Sequence, residues 1–385
     1  MLNFSFANST RIHFGEGQIK AIAKEIPTDA KVLLLYGGGS IKSNGIYDQL
    51  TAVLVNHSVV EFSGIEPNPS YETLMKAQPL ITEHKVDYIL AVGGGSVIDG
   101  AKFIAAAACY EGDDPWDIIA KGQRIKAALS IGAVLTLPAT GSESNTGSVV
   151  TRDGHKGAFA SQHVRPKFAV LDPTVTLSLS DRQIGNGVVD AFVHTMEQYL
   201  TYSVNAKVQD RFAEGLLQTL IEEGPKALTP ATKNDIEVRA NIMWAASLAL
   251  NGLIGAGVPQ DWTTHMIGHE LTAAHGIDHA RTLSIMLPAV LKIRREVKRD
   301  KLLQYAARVW AIDTTDEEAA IDKAIAATEG FFIAMDMPIR LADIELGQEH
   351  IDTLLNNLVQ HGMVKLGEQG AVTPEVSRQI LETAL

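Results

Sequence analysis

The hydrophobic pattern of this chain changes once, near Leu179, and that change restricts the possible folds more than any other feature. Before Leu179, short apolar runs such as KVLLLY and YILAV alternate with helical patterns. Apolar strands separated by helices are typical of a parallel sheet that is covered on both faces. After Leu179 only long helical patterns follow. The sequence therefore predicts an α/β dinucleotide-binding domain over residues 1–179 and an all-α domain over residues 180–385.

The segment FSFANSTRIHFG near the N-terminus indicates two short strands, which form a hairpin or an arm. An exposed strand edge offers its backbone groups to a second chain, and most soluble oligomers are symmetric. We therefore expect this segment to pair across a homodimer.

Charge and cysteine content exclude several classes of protein. The formal net charge is −12 and no dense run of Lys and Arg occurs, which argues against a nucleic-acid or anionic membrane surface. The apolar runs are too short to span a bilayer. The single cysteine, Cys109, follows the apolar run FIAAAA, so we expect it to be a small buried side chain. A chain with one cysteine forms no internal disulfide, which fits a reducing compartment. We expect a cytoplasmic protein whose partner is a small molecule.

Two glycine loops, YGGGS (36–40) and VGGGS (92–96), each follow a strand and precede a helix. Glycines at such a turn let backbone N–H groups approach a phosphate, and the helix N-terminus adds positive potential. The second loop is the better candidate for a pyrophosphate, because its helix begins at once. The alternative for each loop is a tight strand-to-helix turn without a ligand.

The first loop lacks the carboxylate that usually binds the 2′-hydroxyl of NAD. It consists of Gly37, Gly38, Gly39 and Ser40, with Lys42 close behind. Small residues, a hydroxyl and a cation suit a 2′-phosphate, so the loop favours NADP(H). A third polar loop, TLPATGSESN (136–145), either contacts the cofactor or caps a turn.

Two helical patterns carry possible metal ligands. Asp190 and His194 stand four residues apart and share a helix face. They are either ligands of one metal ion or a structural pair without a metal. The stretch DWTTHMIGHELTAAHGIDH (261–279) adds four histidines and a break at Gly276. Two such helices could supply three imidazoles and one carboxylate, which suit Zn²⁺ or Fe²⁺. HELTAAH lacks the HExxH spacing, which disfavours a zinc peptidase.

Five motifs together carry a family resemblance: PNP (67–69), GGGSVIDGAK (93–102), LPATGSESN (137–145), GVVDAFVHTMEQY (187–199) and GAGVPQDWTTHMIGHELTAAHGIDHA (255–280). Through them, and over essentially its whole length, the chain resembles the iron-containing (group III) alcohol dehydrogenases, and within them the NADPH-dependent aldehyde reductase and butanol dehydrogenase branch. The resemblance implies a dehydroquinate-synthase-like fold with the site in the cleft between the domains.

The resemblance also implies roles for individual residues. His269 lies near the nicotinamide and substrate as the catalytic residue, and His275 receives no role. The third polar loop is shorter than the TTAGTGSE form that is common in the family. The implied metal ligands are Asp190, His194, His265 and His279. The implied cofactor contacts are Gly37, Gly38, Gly39, Ser40, Gly94, Gly95, Ser96, Asp99, Thr140, Ser142, Asn145 and Lys156.

The function expected from these features is reduction of short-chain aldehydes to alcohols by NADP(H) with a divalent metal. Three alternatives stay open at this point. The first is a polyol dehydrogenase of glycerol or propanediol type with the same fold. The second is a lyase like dehydroquinate synthase that recycles its nicotinamide. The third is a metal-binding scaffold without activity, against which the glycine loops argue.

Overall fold

The computed structural model describes all 385 residues, which divide into two compact units. One unit contains residues 7–179 and is α/β. The other contains residues 180–385 together with residues 1–6 and is helical. None of the helices combines the length and the apolar character that crossing a bilayer requires.

The α/β unit is built on a six-stranded parallel sheet. The unit contains eight strands in all: β1 (Arg11–Phe14), β2 (Lys31–Tyr36), β3 (Ser58–Phe62), β4 (Tyr88–Gly94), β5 (Ser130–Leu137), β6 (Gly147–Arg152), β7 (His155–Ala160) and β8 (Phe168–Leu171). The sheet has the order β1-β8-β5-β4-β2-β3, and β6 and β7 form a separate antiparallel hairpin. Every neighbouring pair in the sheet is parallel, as the alternation of strands and helices predicts.

Seven helices accompany these strands: α1 (Ile22–Glu25), α2 (Ser40–Ser43), α3 (Ile46–Val53), α4 (Tyr71–Met75), α5 (Ala77–His84), α6 (Gly95–Ala107) and α7 (Asp117–Ala120). The central strands are buried, and β2 exposes only its first residue to any extent. Strands that are covered on both faces need apolar residues at every position, which explains the continuous runs KVLLLY and YILAV.

Two local predictions about this unit differ from the structure. The prediction of two N-terminal strands is wrong, because only β1 forms, and it pairs in parallel with β8 inside the same chain. Asn8 interrupts the segment, since its Oδ1 accepts the backbone N–H of Thr10 in a local turn. The hairpin of β6 and β7 was not predicted, although its turn carries the Asp153-Gly154 signal with φ of 51° and 75°.

The helical unit contains nine helices: α8 (Asp181–Tyr199), α9 (Lys207–Leu228), α10 (Ile236–Ala249), α11 (Thr263–His275), α12 (His279–Ile293), α13 (Arg299–Val309), α14 (Glu317–Ala334), α15 (Ile351–Gln360) and α16 (Pro374–Thr383). A capping box of Ser180 and Gln183 starts α8. The predicted break at Gly276 is confirmed, because this glycine ends α11 in the left-handed conformation with φ of 68°.

Candidate metal centre and cofactor loops

The metal centre predicted from the sequence begins on α8, where Asp190 and His194 face the interior one turn apart. Both side chains are buried. His194 Nδ1 lies 3.8 Å from Asp190 Oδ2. A buried carboxylate is costly without partners or a cation, so this pair is more than a surface feature.

The turn at Gly276 brings two further histidines to the same carboxylate. His265 Nε2 lies 3.9 Å and His279 Nε2 lies 3.7 Å from Asp190 Oδ1. The start of α12 is held against α8, because Arg182 and Asn186 donate hydrogen bonds of 2.6 and 2.8 Å to Asp278. This contact sets the position of His279, which follows Asp278 directly.

Three of the four residues implied as ligands form one close group. Donor atoms of Asp190, His265 and His279 all lie within 4.8 Å of one another. His194 does not belong to that group, but its ring stacks on the ring of His265 with centroids 4.6 Å apart. The structure therefore gathers all four side chains, three of them around a common centre.

The chemistry of this group fits a divalent metal ion. Asp190 Oδ1 is buried and has no hydrogen-bond partner in the protein. It faces two imidazole nitrogens, and a carboxylate oxygen with imidazole nitrogens is a donor set that Zn²⁺ and Fe²⁺ accept. A cation at this position would offset the free energy of burying the Asp190 charge.

The glycine loop between β4 and α6 allows close packing of strand against helix. A Cβ atom on Gly93 would lie 2.5 Å from Val97 Cγ2, and one on Gly95 would overlap Thr140 Oγ1. Packing is therefore by itself a sufficient reason for glycine at positions 93 and 95, whether or not the loop binds a phosphate. The first turn of α6 begins at Gly95, so the loop also presents a helix N-terminus of the kind that binds phosphates.

The first glycine loop is open. Gly39 has φ of 96°, a conformation that favours glycine, and it precedes Ser40 at the start of α2. A Cβ atom on Gly38 would meet no atom within 4 Å, whereas one on Gly37 would lie 3.1 Å from the Ile65 carbonyl oxygen. Gly38 is therefore a position of this loop where a side chain fits.

Comparisons with known proteins decide the family. The model of the iron-containing alcohol dehydrogenase family matches residues 9–173, and the model of the C-terminal part of the Fe-containing alcohol dehydrogenase family matches residues 185–384. The chain belongs to the iron-containing alcohol dehydrogenase family. The predicted family, the predicted dehydroquinate-synthase-like fold class and the predicted oxidoreductase class are thereby confirmed.

Individual relatives within this family cover the whole chain. The NADPH-dependent aldehyde reductase YqhD of Escherichia coli is 58% identical over 388 residues, with all of both chains aligned. A crystal structure of E. coli YqhD matches with a TM-score of 0.97 and covers 100% of this chain and 99% of that one. The NADH-dependent butanol dehydrogenase A of Thermotoga maritima matches with 36% identity, a TM-score of 0.94 and the same coverage.

Of the two remaining histidines of the family motif, His269 lies beside the metal group and His275 does not. The ring of His269 is half-buried, with its centroid 5.0 Å from that of His279 and 6.2 Å from that of His265. This position suits a residue near the metal, and its catalytic role stays a prediction. His275 lies apart at the exposed end of α11, where its ring contacts His350 at 5.2 Å. Partial burial and His350 lower the pKa of His275.

The third polar loop of this alcohol dehydrogenase is fastened to α6 by buried polar contacts. Asp99 accepts hydrogen bonds from Ser142 Oγ at 2.5 Å and from the Val149 N–H at 2.9 Å. Lys102 is completely buried and donates to Asn145 Oδ1 at 2.8 Å and to the Gly147 carbonyl at 2.7 Å. Burial lowers the pKa of Lys102 to about 8.

Several residues predicted to contact the cofactor are therefore also structural. Asp99, Ser142 and Asn145 bond to protein atoms that hold the loop 138–146 close to the glycine loop at 93–96. Ser96 Oγ accepts the Asn68 N–H at 3.3 Å, and Lys156 lies on β7 opposite Thr151. Their contacts with a dinucleotide stay predictions.

Two carboxylates near the candidate sites were missed in the sequence. Glu61 on β3 reaches the first glycine loop, where Lys42 Nζ lies 3.5 Å from its Oε2. Hydroxyls of Tyr47 and Tyr36 donate to Glu61 at 2.5 and 2.7 Å, and the Tyr47 hydrogen bond lowers the pKa of Glu61 despite partial burial. A charged residue inside the apolar run SVVEF was the available signal.

The second missed carboxylate is Glu197, which is buried on α8 and hydrogen-bonded to His265 Nδ1. Burial raises the pKa of Glu197, and the nearby Asp261 carboxylate adds to this effect. Glu197 lies seven residues after Asp190, which places both on one face of the helix. That spacing was visible in the sequence, but nothing in it indicated a partner on α11.

Proposed function

We propose that this chain is an NADPH-dependent, metal-dependent reductase of short-chain aldehydes that also works in reverse as an alcohol dehydrogenase. The observation that carries the metal dependence is the buried Asp190 oxygen, which lacks a hydrogen bond and faces the Nε2 atoms of His265 and His279. The full-length similarity to the E. coli aldehyde reductase supports the reaction and the cofactor.

The chain's own residues divide the work between its two units. In the helical unit, Asp190, His194, His265 and His279 hold a divalent ion in buried surroundings, where electrostatic interactions are stronger than in water. In the α/β unit, the loops at 37–40 and 93–96 hold the phosphates of the dinucleotide. A bound Zn²⁺ or Fe²⁺ supplies polarisation of the aldehyde carbonyl group, and NADPH supplies the hydride.

The preference for NADPH rests on the first glycine loop of this chain, because relatives differ in the cofactor that their names give. The loop contains no acidic residue, and Lys42 stands at its end. Glu61 supplies a carboxylate nearby, but Lys42 and two tyrosine hydroxyls already contact it. The Glu61 charge is therefore balanced by these contacts. A 2′-phosphate at this loop would be bound by the Lys42 ammonium group and the Ser40 hydroxyl.

The direct test is oxidation of NADPH by the purified chain with a panel of short linear aldehydes. We expect turnover that falls at least about tenfold after chelation and returns on addition of Zn²⁺ or Fe²⁺, because the ion stabilises charge in the transition state. Net consumption of NADPH separates a reductase from a lyase that recycles its nicotinamide. Activity that survives complete removal of metal would contradict the proposal.

We also retain the homodimer and the cytoplasmic location as predictions. Residues 2–6 present apolar side chains to solvent, with Leu2, Phe4 and Phe6 between 45% and 50% exposed. Strand β1 is an edge of its sheet and exposes Phe14. An exposed apolar segment and an unpaired strand edge each suit contact with a second copy of the chain.

The double substitution Phe4→Ser and Phe6→Ser is expected to convert the dimer to monomers, because it removes apolar area from the proposed contact. Sedimentation equilibrium measures the change as a halving of the mass. Val55→Ser is the matched control, since Val55 is 74% exposed on the α/β unit outside this segment. A double variant that keeps the wild-type mass would exclude residues 4–6 from the dimer contact.

A further inference from the structure

Glu197 stands directly behind the proposed metal ligands, on the helix that carries two of them. Asp190, His194 and Glu197 follow one another along α8 at spacings that share a helix face. The Glu197 side chain is only 4% exposed. A carboxylate that is buried to this extent needs hydrogen-bond donors for both of its oxygens.

Both oxygens of Glu197 have such donors on α11. Oε1 accepts the Thr264 N–H at 2.7 Å and the His265 N–H at 3.3 Å, and Oε2 is hydrogen-bonded to His265 Nδ1. Trp262 precedes α11 but its side chain provides no cap. Glu197 therefore supplies, from another helix, an acceptor for two N–H groups in the first turn of α11, while Asp261 Oδ1 accepts the Thr263 N–H at 2.9 Å.

The bond to Nδ1 has a consequence for the opposite nitrogen of the same ring. A carboxylate accepts, so Nδ1 must carry the proton, and Nε2 then keeps its lone pair. Nε2 is the atom that faces Asp190 Oδ1 at 3.9 Å. A single carboxylate thus helps to cap the first turn of the helix, and it sets how the ring is oriented and which nitrogen is able to bind a metal ion.

We propose that Glu197 is a positioning residue that holds His265 in the Nδ1–H tautomer, with Nε2 directed at the metal. The inference rests on the proposed function, because it takes His265 to be a ligand. Metal-bound histidines commonly donate their second N–H to a carboxylate, and loss of that partner weakens metal binding about 10- to 100-fold.

A buried lysine contacts Asp261, the carboxylate that neighbours Glu197. Lys298 Nζ lies 2.7 Å from Asp261 Oδ2 and 3.3 Å from Glu368 Oε1, and its side chain is 3% exposed. Asp261 is adjacent to Glu197, since its N–H donates to the Glu197 main-chain carbonyl at 2.9 Å. Lys298 therefore offsets the charge of Asp261, the carboxylate that adds to the raised pKa of Glu197.

Glu197→Gln separates the two roles of the carboxylate. The glutamine oxygen replaces Oε1 and still accepts from the Thr264 N–H, so α11 keeps its start. The NH₂ group then donates to Nδ1, which moves the imidazole proton to Nε2 and opposes metal binding. We expect Zn²⁺ affinity, measured by chelator competition on the metal-free full chain, to fall about 10- to 100-fold while the metal-free Tm stays close to wild type.

Glu214→Gln is the matched control, because Glu214 is a buried carboxylate of the same unit that contacts Tyr199 and Arg308 instead of the metal group. It should leave Zn²⁺ affinity unchanged. A Glu197→Gln chain that binds Zn²⁺ as wild type does would overturn the positioning role alone. If Asp190→Asn also bound Zn²⁺ as wild type does, the proposed metal site itself would fail.

A direct measurement on the wild-type chain covers the case in which Glu197→Gln does not fold. In metal-free protein labelled with ¹⁵N-histidine, the His265 signals are identified by their absence in His265→Ala. We expect a protonated Nδ1 and an unprotonated Nε2. The opposite tautomer would overturn the proposal.

Discussion

Asp190→Asn is expected to lower kcat/KM for aldehyde reduction by NADPH about a thousandfold, because metal polarisation contributes several kcal/mol to the barrier. The substitution preserves the shape of the side chain but removes the charge that attracts a dication. Asp190 Oδ1 accepts no hydrogen bond from the protein, so the metal-free chain loses no hydrogen bond there. We therefore expect a metal-free Tm no lower than that of wild type.

Metal content by mass spectrometry, kcat/KM and the metal-free Tm together test this prediction. His265→Ala should behave similarly in activity and metal content. His361→Ala is the matched control, because His361 lies in the helical unit, is partly buried and bonds to Glu270 at 2.7 Å without joining the metal group. An Asp190→Asn enzyme with full metal content and full activity would show that the ligands lie elsewhere.

Gly38→Asp is expected to shift the ratio of kcat/KM with NADPH to kcat/KM with NADH about a hundredfold towards NADH, which corresponds to ~2.7 kcal/mol. A carboxylate on this loop repels a 2′-phosphate and accepts a hydrogen bond from the 2′-hydroxyl of NADH. A side chain fits at Gly38, since a Cβ atom there meets nothing within 4 Å.

The control for this cofactor prediction is Gly38→Ala, which adds the Cβ atom without the charge and should change the ratio less than about twofold. Gly39 would be a poor choice, because its φ of 96° strains any other residue. An unchanged cofactor ratio in Gly38→Asp would mean that the 2′ position of the dinucleotide does not lie at this loop.

Much of the fold follows from local patterns that the sequence displays. The continuous apolar runs of β2 and β4 indicate buried parallel strands, because no strand face in such a sheet contacts water. Gly276 indicates the end of α11, since a left-handed residue closes a helix without penalty only as glycine. The missing second N-terminal strand shows where prediction from local patterns stops. An apolar run indicates that a strand is possible, but it does not show which sheet edge the strand would join.

The candidate metal site is likewise predictable from the sequence only in part. Asp190 and His194 lie on one helix, and His265 and His279 lie on either side of a single turn, so spacing in the sequence suggests how each pair is arranged. Spacing does not show that the two pairs meet. That depends on α8 lying against α11 and α12, with Arg182 and Asn186 bonded to Asp278.

The sequence by itself determined most types of element and the family, and it singled out the residues that we propose hold a metal ion and a dinucleotide, because each depends on short motifs or local periodicity. Only the tertiary structure decided which carboxylates serve those residues. Glu197 is 68 positions from His265, and Glu61 is 19 positions from Lys42. Hydrogen bonds over such separations exist only once helices and strands pack, and no local pattern encodes which side chains that packing brings within hydrogen-bonding distance of each other.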